Sequence, residues 1–298
     1  MRKNVLDNAL KIIDENRFNA ESEAKNNKLK ALENEDFKKL YNQYVDLIIK
    51  NAQGENNEKN IENLKIKLEN VQKKLNLGSI EPNYSCKLCN DTGFVNGKYC
   101  KCLTKEINNI LVAESGFGHL EDFAKTNFKL NSNPEYMKKL YKLMKDWCHS
   151  NFEKNLIYIA GQTGVGKTHL LKCMAKELID LNKVVFLTTS FAMNQDFLKS
   201  YSCKDLDEKD YILQKYLNAE ILFIDDLGTE LRQPGITVNY LYLIINERKM
   251  NKRPTIISSN LTLADINDYY DERVFSRITD LSSSICVYIE GDDLRLKK

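Results

Sequence analysis

The chain has 298 residues, enough for one large domain or two modest ones, and its hydrophobic content of 42% suits a globular core. Lys and Arg number 44 against 42 Asp and Glu, a formal charge of +2, so nucleic-acid binding would need a local basic patch and not the field of the whole molecule. No segment approaches the roughly 18 to 20 apolar residues of a membrane span, and acids interrupt the basic start MRKNVLDNALKIIDENRF before a signal-peptide core can form. The expected location is the cytoplasm, with no membrane partner. There the 8 cysteines read as metal ligands or buried thiols before disulfides.

Residues 1 to about 80 are rich in Lys, Asn, Glu and Leu. Apolar residues recur at helical spacing over Leu64, Ile66, Leu68, Val71 and Leu75, and again over Leu40, Val45 and Ile48, with a polar break at residues 51–60. The pattern predicts a helical hairpin with solvated charged faces, compatible with a partner-binding arm. Residues 84–103, YSCKLCNDTGFVNGKYCKCL, change character abruptly. Cys86, Cys89, Cys100 and Cys102 form C-x2-C-x10-C-x-C, and Gly93 and Gly97 permit the turns between the pairs. Two such thiolate pairs suit one structural Zn²⁺, four protein ligands leaving no open position for catalysis. An iron–sulfur cluster or free thiols are the other readings, and His119 is an alternative fourth ligand if one cysteine is spare. A helical stretch then runs to about Glu114, and Gly116-Phe117-Gly118 marks a joint. Cys148, Cys173, Cys203 and Cys286 show no ligand spacing and read as small hydrophobes, as Trp147 reads as packing.

From about Phe123 the pattern becomes α/β. LIYIAG (156–161), VVFLTT (184–189), ILFIDD (221–226) and PTIISSN (254–260) are short apolar runs that alternate with helical segments at 169–181, 194–201 and 238–250. That alternation predicts a parallel sheet covered on both faces. Gly161, Gln162, Thr163, Gly164, Val165, Gly166, Lys167 and Thr168 match G-x-x-x-x-G-K-[ST], with a buried strand before and an amphipathic helix after. The glycines let backbone N–H groups curl toward phosphate oxygens at a helix N-terminus. Lys167 would reach the β/γ-phosphates of ATP and the Thr168 hydroxyl would ligate Mg²⁺.

Asp225 and Asp226 stand at the C-terminal end of a buried strand, where ligands bind in open α/β sheets. Asp225 reads as the Mg²⁺ carboxylate and Asp226 as the group that orients or deprotonates the attacking water, although acids there also form simple turns. Asn260 ends another buried strand and is placed to hydrogen-bond the γ-phosphate or the lytic water, if it is not a strand-ending turn residue. Arg273, Arg277 and Arg295 are candidates to neutralise charge developing in phosphoryl transfer, or are solvated surface charges.

Together GQTGVGKTHL, ILFIDDLGTE, IINERKMNKRPTIISSNL and DERVFSRI resemble the AAA+ ATPases, and more narrowly the bacterial replicative-helicase loaders of the DnaC/DnaI type. The resemblance runs from about Phe123 onward. It implies an α/β P-loop AAA+ core without a C-terminal lid, preceded by a small helical zinc-binding domain. It matches Asn260 to the sensor-1 residue, Arg277 to the arginine finger of a neighbouring subunit's site, Arg273 to the second box arginine and Arg295 to the sensor-2 arginine. His169, within GQTGVGKTHL, joins the nucleotide-binding set. It also implies single-stranded DNA contacts over residues 191–204, where Phe191, Phe197, Lys199, Tyr201 and Lys204 mix aromatics with cations; a plain amphipathic core helix explains the aromatics equally.

The expected organisation is a helicase-binding arm and zinc module at 1–115, a linker at 116–135 and the ATPase domain at 136–298. The expected function is ATP-dependent loading of a replicative DNA helicase, with ATP, Mg²⁺ and Zn²⁺ as cofactors. Hexameric helicase, single-stranded DNA and further copies of the chain would be its partners. The alternatives are a transposition helper of the IstB type acting on duplex DNA, against which the long arm ahead of the P-loop stands, and a nucleotide-switched adaptor with negligible hydrolysis.

Overall fold

The structure is a computed structural model that describes residues 3–129 and 131–296; Lys297 and Lys298, which end the GDDLRLKK segment, lie outside the described residues. The chain forms two compact units, one of residues Leu10–Leu103 and one of Met1–Ala9 with Thr104–Lys298. Among the described residues no helix is long and apolar enough to cross a membrane.

The Leu10–Leu103 unit contains most of helix α1 (Lys3–Leu32), then α2 (Glu35–Ala52) and α3 (Glu58–Lys74). Asn34 caps α2 by accepting from the Phe37 N–H at 3.0 Å. Ala31, Phe37 and Leu68 form a small core on which Leu40, Tyr41, Tyr44 and Val71 pack. The two expected stripes thus meet at Leu40, Leu68 and Val71, but Ile48 is 41% exposed and Ile66 49%. Ile66 stands two residues from both Leu64 and Leu68, which on a helix is the opposite face. Beyond α3, strands β1 (Phe94–Val95) and β2 (Lys98–Tyr99) pair antiparallel. Asn96 and Gly97 join them, both at positive φ (50° and 73°), as a two-residue hairpin turn of matching twist requires. Helix α4 (Lys101–Ser115) follows and ends at Gly116, whose φ is 75°.

The larger unit continues with α5 (Pro134–Cys148), β3 (Leu156–Gly161), α6 (Lys167–Asp180), β4 (Val185–Thr189), α7 (Ser190–Ser202) and α8 (Leu206–Leu217). β5 (Ile221–Leu227), α9 (Thr237–Met250), β6 (Thr255–Ser259), α10 (Leu263–Tyr269), α11 (Glu272–Thr279) and β7 (Ser284–Ile289) complete it. The five strands lie in the order β4-β5-β6-β3-β7 with every neighbour parallel. This is the helix-covered parallel sheet expected from the alternating apolar runs. Ile157 and Ile159 enter one apolar layer with Met144, Leu171 and Met174, whereas Leu156, Tyr158 and Ala160 enter the other with Phe197, Leu222 and Ile245. The period-two alternation of a strand therefore feeds two cores at once, which is why β3 reads as a continuous apolar run.

Helices α5, α8, α10 and α11 and strand β7 are additions to the elements expected in this unit. α5 starts at Pro134 behind Asn133, whose side chain accepts from the Tyr136 N–H at 3.1 Å, and it buries Met137, Leu140, Tyr141, Met144 and Trp147. β7 is an edge strand with half-buried residues, yet its run SICVYI is as apolar as LIYIAG of β3.

Candidate functional site

The glycine loop leaves β3 at its C-terminal end and turns into α6. Gly166 takes φ 102° as the residue before the helix, and α6 has no side-chain cap, so its first N–H groups face outward for a ligand. Lys167 is 5% exposed. Its Nζ donates to the carbonyls of Gly161 and Gln162, each at 2.8 Å, and to Asn260 Oδ1 at 2.7 Å. Burial pushes its pKa down, and Asp226 and Asp225 oppose that push. Three oxygen acceptors hold this lysine where an anion would otherwise satisfy it.

The Thr168 hydroxyl donates to Asp225 Oδ2 at 2.9 Å, and the Ser258 hydroxyl donates to Asp225 Oδ1. Register between β5 and β6 slips after Ile224, where Ile224 faces Ile257 but Leu227 faces Ser259. This bulge releases Asp226 from the ladder: its φ is 55°, its N–H donates to Ser258 Oγ at 3.0 Å, and its carbonyl accepts from Ser190 at 2.7 Å. Two adjacent acids, which on a regular strand would face opposite sides, are thereby both usable. Burial and then the neighbouring Asp225 raise the pKa of Asp226, while Lys167 and Arg295 lower it.

These groups meet at an open cleft of about 470 Å³ lined by Thr163 through His169, Asp226, Asn260 and Arg295. Gly161 and Gln162, which give carbonyls to Lys167, and Asp225, which accepts from Thr168, are not among the lining residues. The opposite wall comes from residues expected to be linker, Lys125 through Phe128 and Asn131, and from Met137 and Tyr141 of α5. Phe128 meets Tyr141 edge-on at 4.9 Å, and His169 Nε2 lies 3.2 Å from Thr126 Oγ1. Burial lowers the His169 pKa. The patch that Phe128, Met137 and Tyr141 form within this otherwise polar wall suits the base of a nucleotide. No motif marks it, because it is assembled from a segment without regular spacing.

The donor set fits the nucleotide and cation that the loop implies. A lysine ammonium and free helix N–H groups serve phosphate, and a hydroxyl paired with a carboxylate serves a hard divalent cation.

The three arginines separate. Arg295 lines the cleft and pairs with Asp293 at 2.6 Å. Arg273 and Arg277, both on α11, lie off the cleft: Arg273 pairs with Asp271 at 2.7 Å, Arg277 Nε donates to Asn246 at 2.7 Å, and both stand near the Tyr242 ring. The α7 segment separates too. Phe197 is wholly buried against Tyr216 and Tyr240, whereas Phe191 and Tyr201 are 54% and 62% exposed and Lys199 pairs with Glu208 at 2.9 Å. Phe197 is therefore core and unavailable for stacking.

In the smaller unit the four sulfurs of Cys86, Cys89, Cys100 and Cys102 lie within 4.8 Å of one another, with Cys86–Cys100 at 3.6 Å and Cys89–Cys102 at 3.4 Å. Sulfurs around a tetrahedral Zn²⁺ at ~2.3 Å stand about 3.8 Å apart, so the cluster matches that ion in chemistry and in size. Buried Asp91 braces the first knuckle by accepting from the Ser85 and Cys86 N–H groups at 2.8 and 2.7 Å. The cluster draws its four sulfurs from cysteines alone, and His119 is exposed and belongs to the other unit.

Comparison with known proteins is consistent with this chemistry. The chain is 32% identical over 212 residues to the uncharacterized protein YqaM of Bacillus subtilis, covering 67% of this chain and 65% of that one. It is 28% identical over 227 residues to the phage-like element PBSX protein XkdC of the same organism, covering 70% and 83%. To the replicative helicase loader DnaC of Escherichia coli it is 28% identical over 142 residues, covering 46% and 54%. The profile of the IstB-like ATP binding protein matches residues 100–298, and the chain belongs to that family.

Proposed function

We propose that this protein is an ATPase that loads a replicative DNA helicase. The observation that carries the ATPase reading is the convergence of Lys167, the Thr168–Asp225 pair, Asp226, Asn260 and Arg295 at one cleft while Arg273 and Arg277 lie off it. Such a site is complete except for a charge that a neighbouring copy would bring.

Lys167 exchanges its carbonyl and amide partners for the β/γ-phosphates of ATP. Thr168 and Asp225 would hold Mg²⁺, which would supply neutralisation of phosphate charge. Asp226, with its proton affinity raised by burial and by Asp225, accepts the proton of the attacking water, and Asn260 orients that water or the γ-phosphate. Arg277, supported by Arg273, serves the site of the next subunit, so turnover depends on assembly.

The loader reading is supported by the likeness to the helicase loader DnaC and by the cysteine unit ahead of the ATPase fold. The Leu10–Leu103 unit, with Zn²⁺ on Cys86, Cys89, Cys100 and Cys102, grips the helicase. Exposed Phe191 and Tyr201 with Lys204 offer stacking and charge to single-stranded DNA. Likeness to a phage-like element protein favours a second reading, a mobile-element ATPase that acts on duplex DNA without a helicase. Light scattering of the full chain mixed with a replicative helicase of its host, with ATP, with ADP and after Zn²⁺ removal, separates the two. A zinc-dependent complex of helicase and several copies is expected; no complex under any condition would leave the mobile-element reading.

A further inference from the structure

Behind β7 the chain turns back over the P-loop. The Leu294 N–H donates to the Gly164 carbonyl at 3.0 Å, and two residues earlier Asp292 is held by Ser132, whose hydroxyl donates to Asp292 Oδ2 at 3.3 Å. Asp293 presses on the loop so closely that a Cβ on Gly164 would lie 2.0 Å from its Oδ1. Arg295 accompanies it: Nε donates to Asp293 Oδ1 at 2.9 Å, Nη2 to Oδ2 at 2.6 Å, and the backbone N–H to Oδ1 at 3.0 Å. A two-pronged pair of this kind is the geometry in which a guanidinium also grips phosphate. A carboxylate is thus set against the very loop whose N–H groups serve phosphate, and it occupies the arginine that, among the described residues, lines the cleft.

We propose that Asp293 is the resident counter-ion of Arg295, a positioning residue that holds this arginine at the P-loop before nucleotide binds and yields it to the terminal phosphate of ATP. The proposal rests on the nucleotide-site reading above and adds a determinant of affinity to it. Two effects act in the same direction. Asp293 competes for the guanidinium, and its negative charge repels a triphosphate on the same loop. ADP, without the third phosphate, leaves the Asp293–Arg295 pair closer to its resting state, so Asp293 sets how strongly the site distinguishes the two nucleotides.

The test is a double-mutant cycle on the full chain, reading displacement of a fluorescent ATP analogue by unlabelled Mg·ATP or Mg·ADP. Asp293→Asn is expected to tighten ATP binding about three- to tenfold and ADP binding less, a change of sign that a merely structural role would not produce. Arg295→Ala is expected to weaken ATP binding, and Asp293→Asn added to it to bring back less than half of the tightening. Asp293→Ser, compared at equal thermal stability, guards against a folding artefact. Unchanged or weaker ATP binding in both Asp293 variants overturns the proposal. Equal tightening with and without Arg295 overturns the arginine-holding role and leaves only direct repulsion. A wild-type chain that binds neither nucleotide would sink the site reading itself, a result distinct from the other two.

Discussion

Residues 104–298 bury a parallel sheet on both faces, with Leu156 through Ala160 alternating between two apolar layers, whereas residues 10–103 gather Ala31, Phe37 and Leu68 into one small core and keep four thiols together elsewhere. The first unit excludes water over enough surface to order itself and to carry polar groups at its edge. The second has long charged helices, and its cysteine segment is held by Asp91, a two-residue hairpin and whatever the sulfurs bind. Stability from area and stability from a few strong ligands respond differently to perturbation.

The largest expected effect tests that difference directly. Structural zinc stabilises small domains by ~10–16 kcal/mol in apparent terms, so Cys89→Ser or chelation is expected to unfold the cysteine segment. Mass spectrometry of the native protein should find about one Zn²⁺ per chain, and hydrogen exchange should localise the loss to residues 84–103 with the sheet amides unchanged. A metal-free protein with protected amides in that segment would erase the contrast.

In the larger unit the corresponding anchor is Arg248, 1% exposed, which donates to Thr255 Oγ1 and to the carbonyls of Tyr216, Ala219 and Pro254 at 2.6 to 2.8 Å. It ties the end of α8 to α9 and the start of β6. Arg248→Met removes a buried donor from all four, of which Pro254 keeps the Leu222 N–H and Thr255 its bond to the Arg253 carbonyl, and should cost about 3 kcal/mol in urea unfolding, with zinc content untouched. Lys167→Ala should weaken Mg·ATP binding by about two orders of magnitude, read by calorimetry, with little loss of stability.

The smallest effect on stability runs opposite in sign. Asp226 carries a raised pKa from burial and from Asp225, so the native state holds its proton more tightly than the unfolded chain does. Stability therefore falls as pH rises from the ordinary carboxylate range through the raised value. Asp226→Asn, which tolerates the positive φ, should flatten that dependence and raise the unfolding midpoint at neutral pH by about 2 °C, while ATP turnover drops at least ~100-fold. A lower midpoint would show that the acid is structural.

Much of the larger unit was legible because its signals are local. A two-sided strand demands an unbroken apolar run, and phosphate binding by backbone demands glycines at set spacing, so β3, β5, β6 and Gly161–Thr168 could be read residue by residue. The cysteine pairs were legible for the same reason. Outside the expected elements, although their signals are equally local, were α5, with apolar residues at the helical spacing Met137, Leu140, Tyr141, Met144 and Trp147, and β7, with the apolar run SICVYI, whereas Ile66 was set in a stripe from which its two-residue offset removes it.

The sequence by itself determined a phosphate loop, its acidic strand, a helix-covered parallel sheet and a four-thiol cluster, because each follows from the spacing of neighbouring residues. Only the tertiary structure decided which of these touch. The bulge after Ile224 frees Asp226, the segment around Phe128 becomes a wall of the cleft, Phe197 enters the core, and Asp293 reaches Gly164 from far along the chain. Those outcomes depend on strand order and on the packing of distant segments, and no local spacing encodes them.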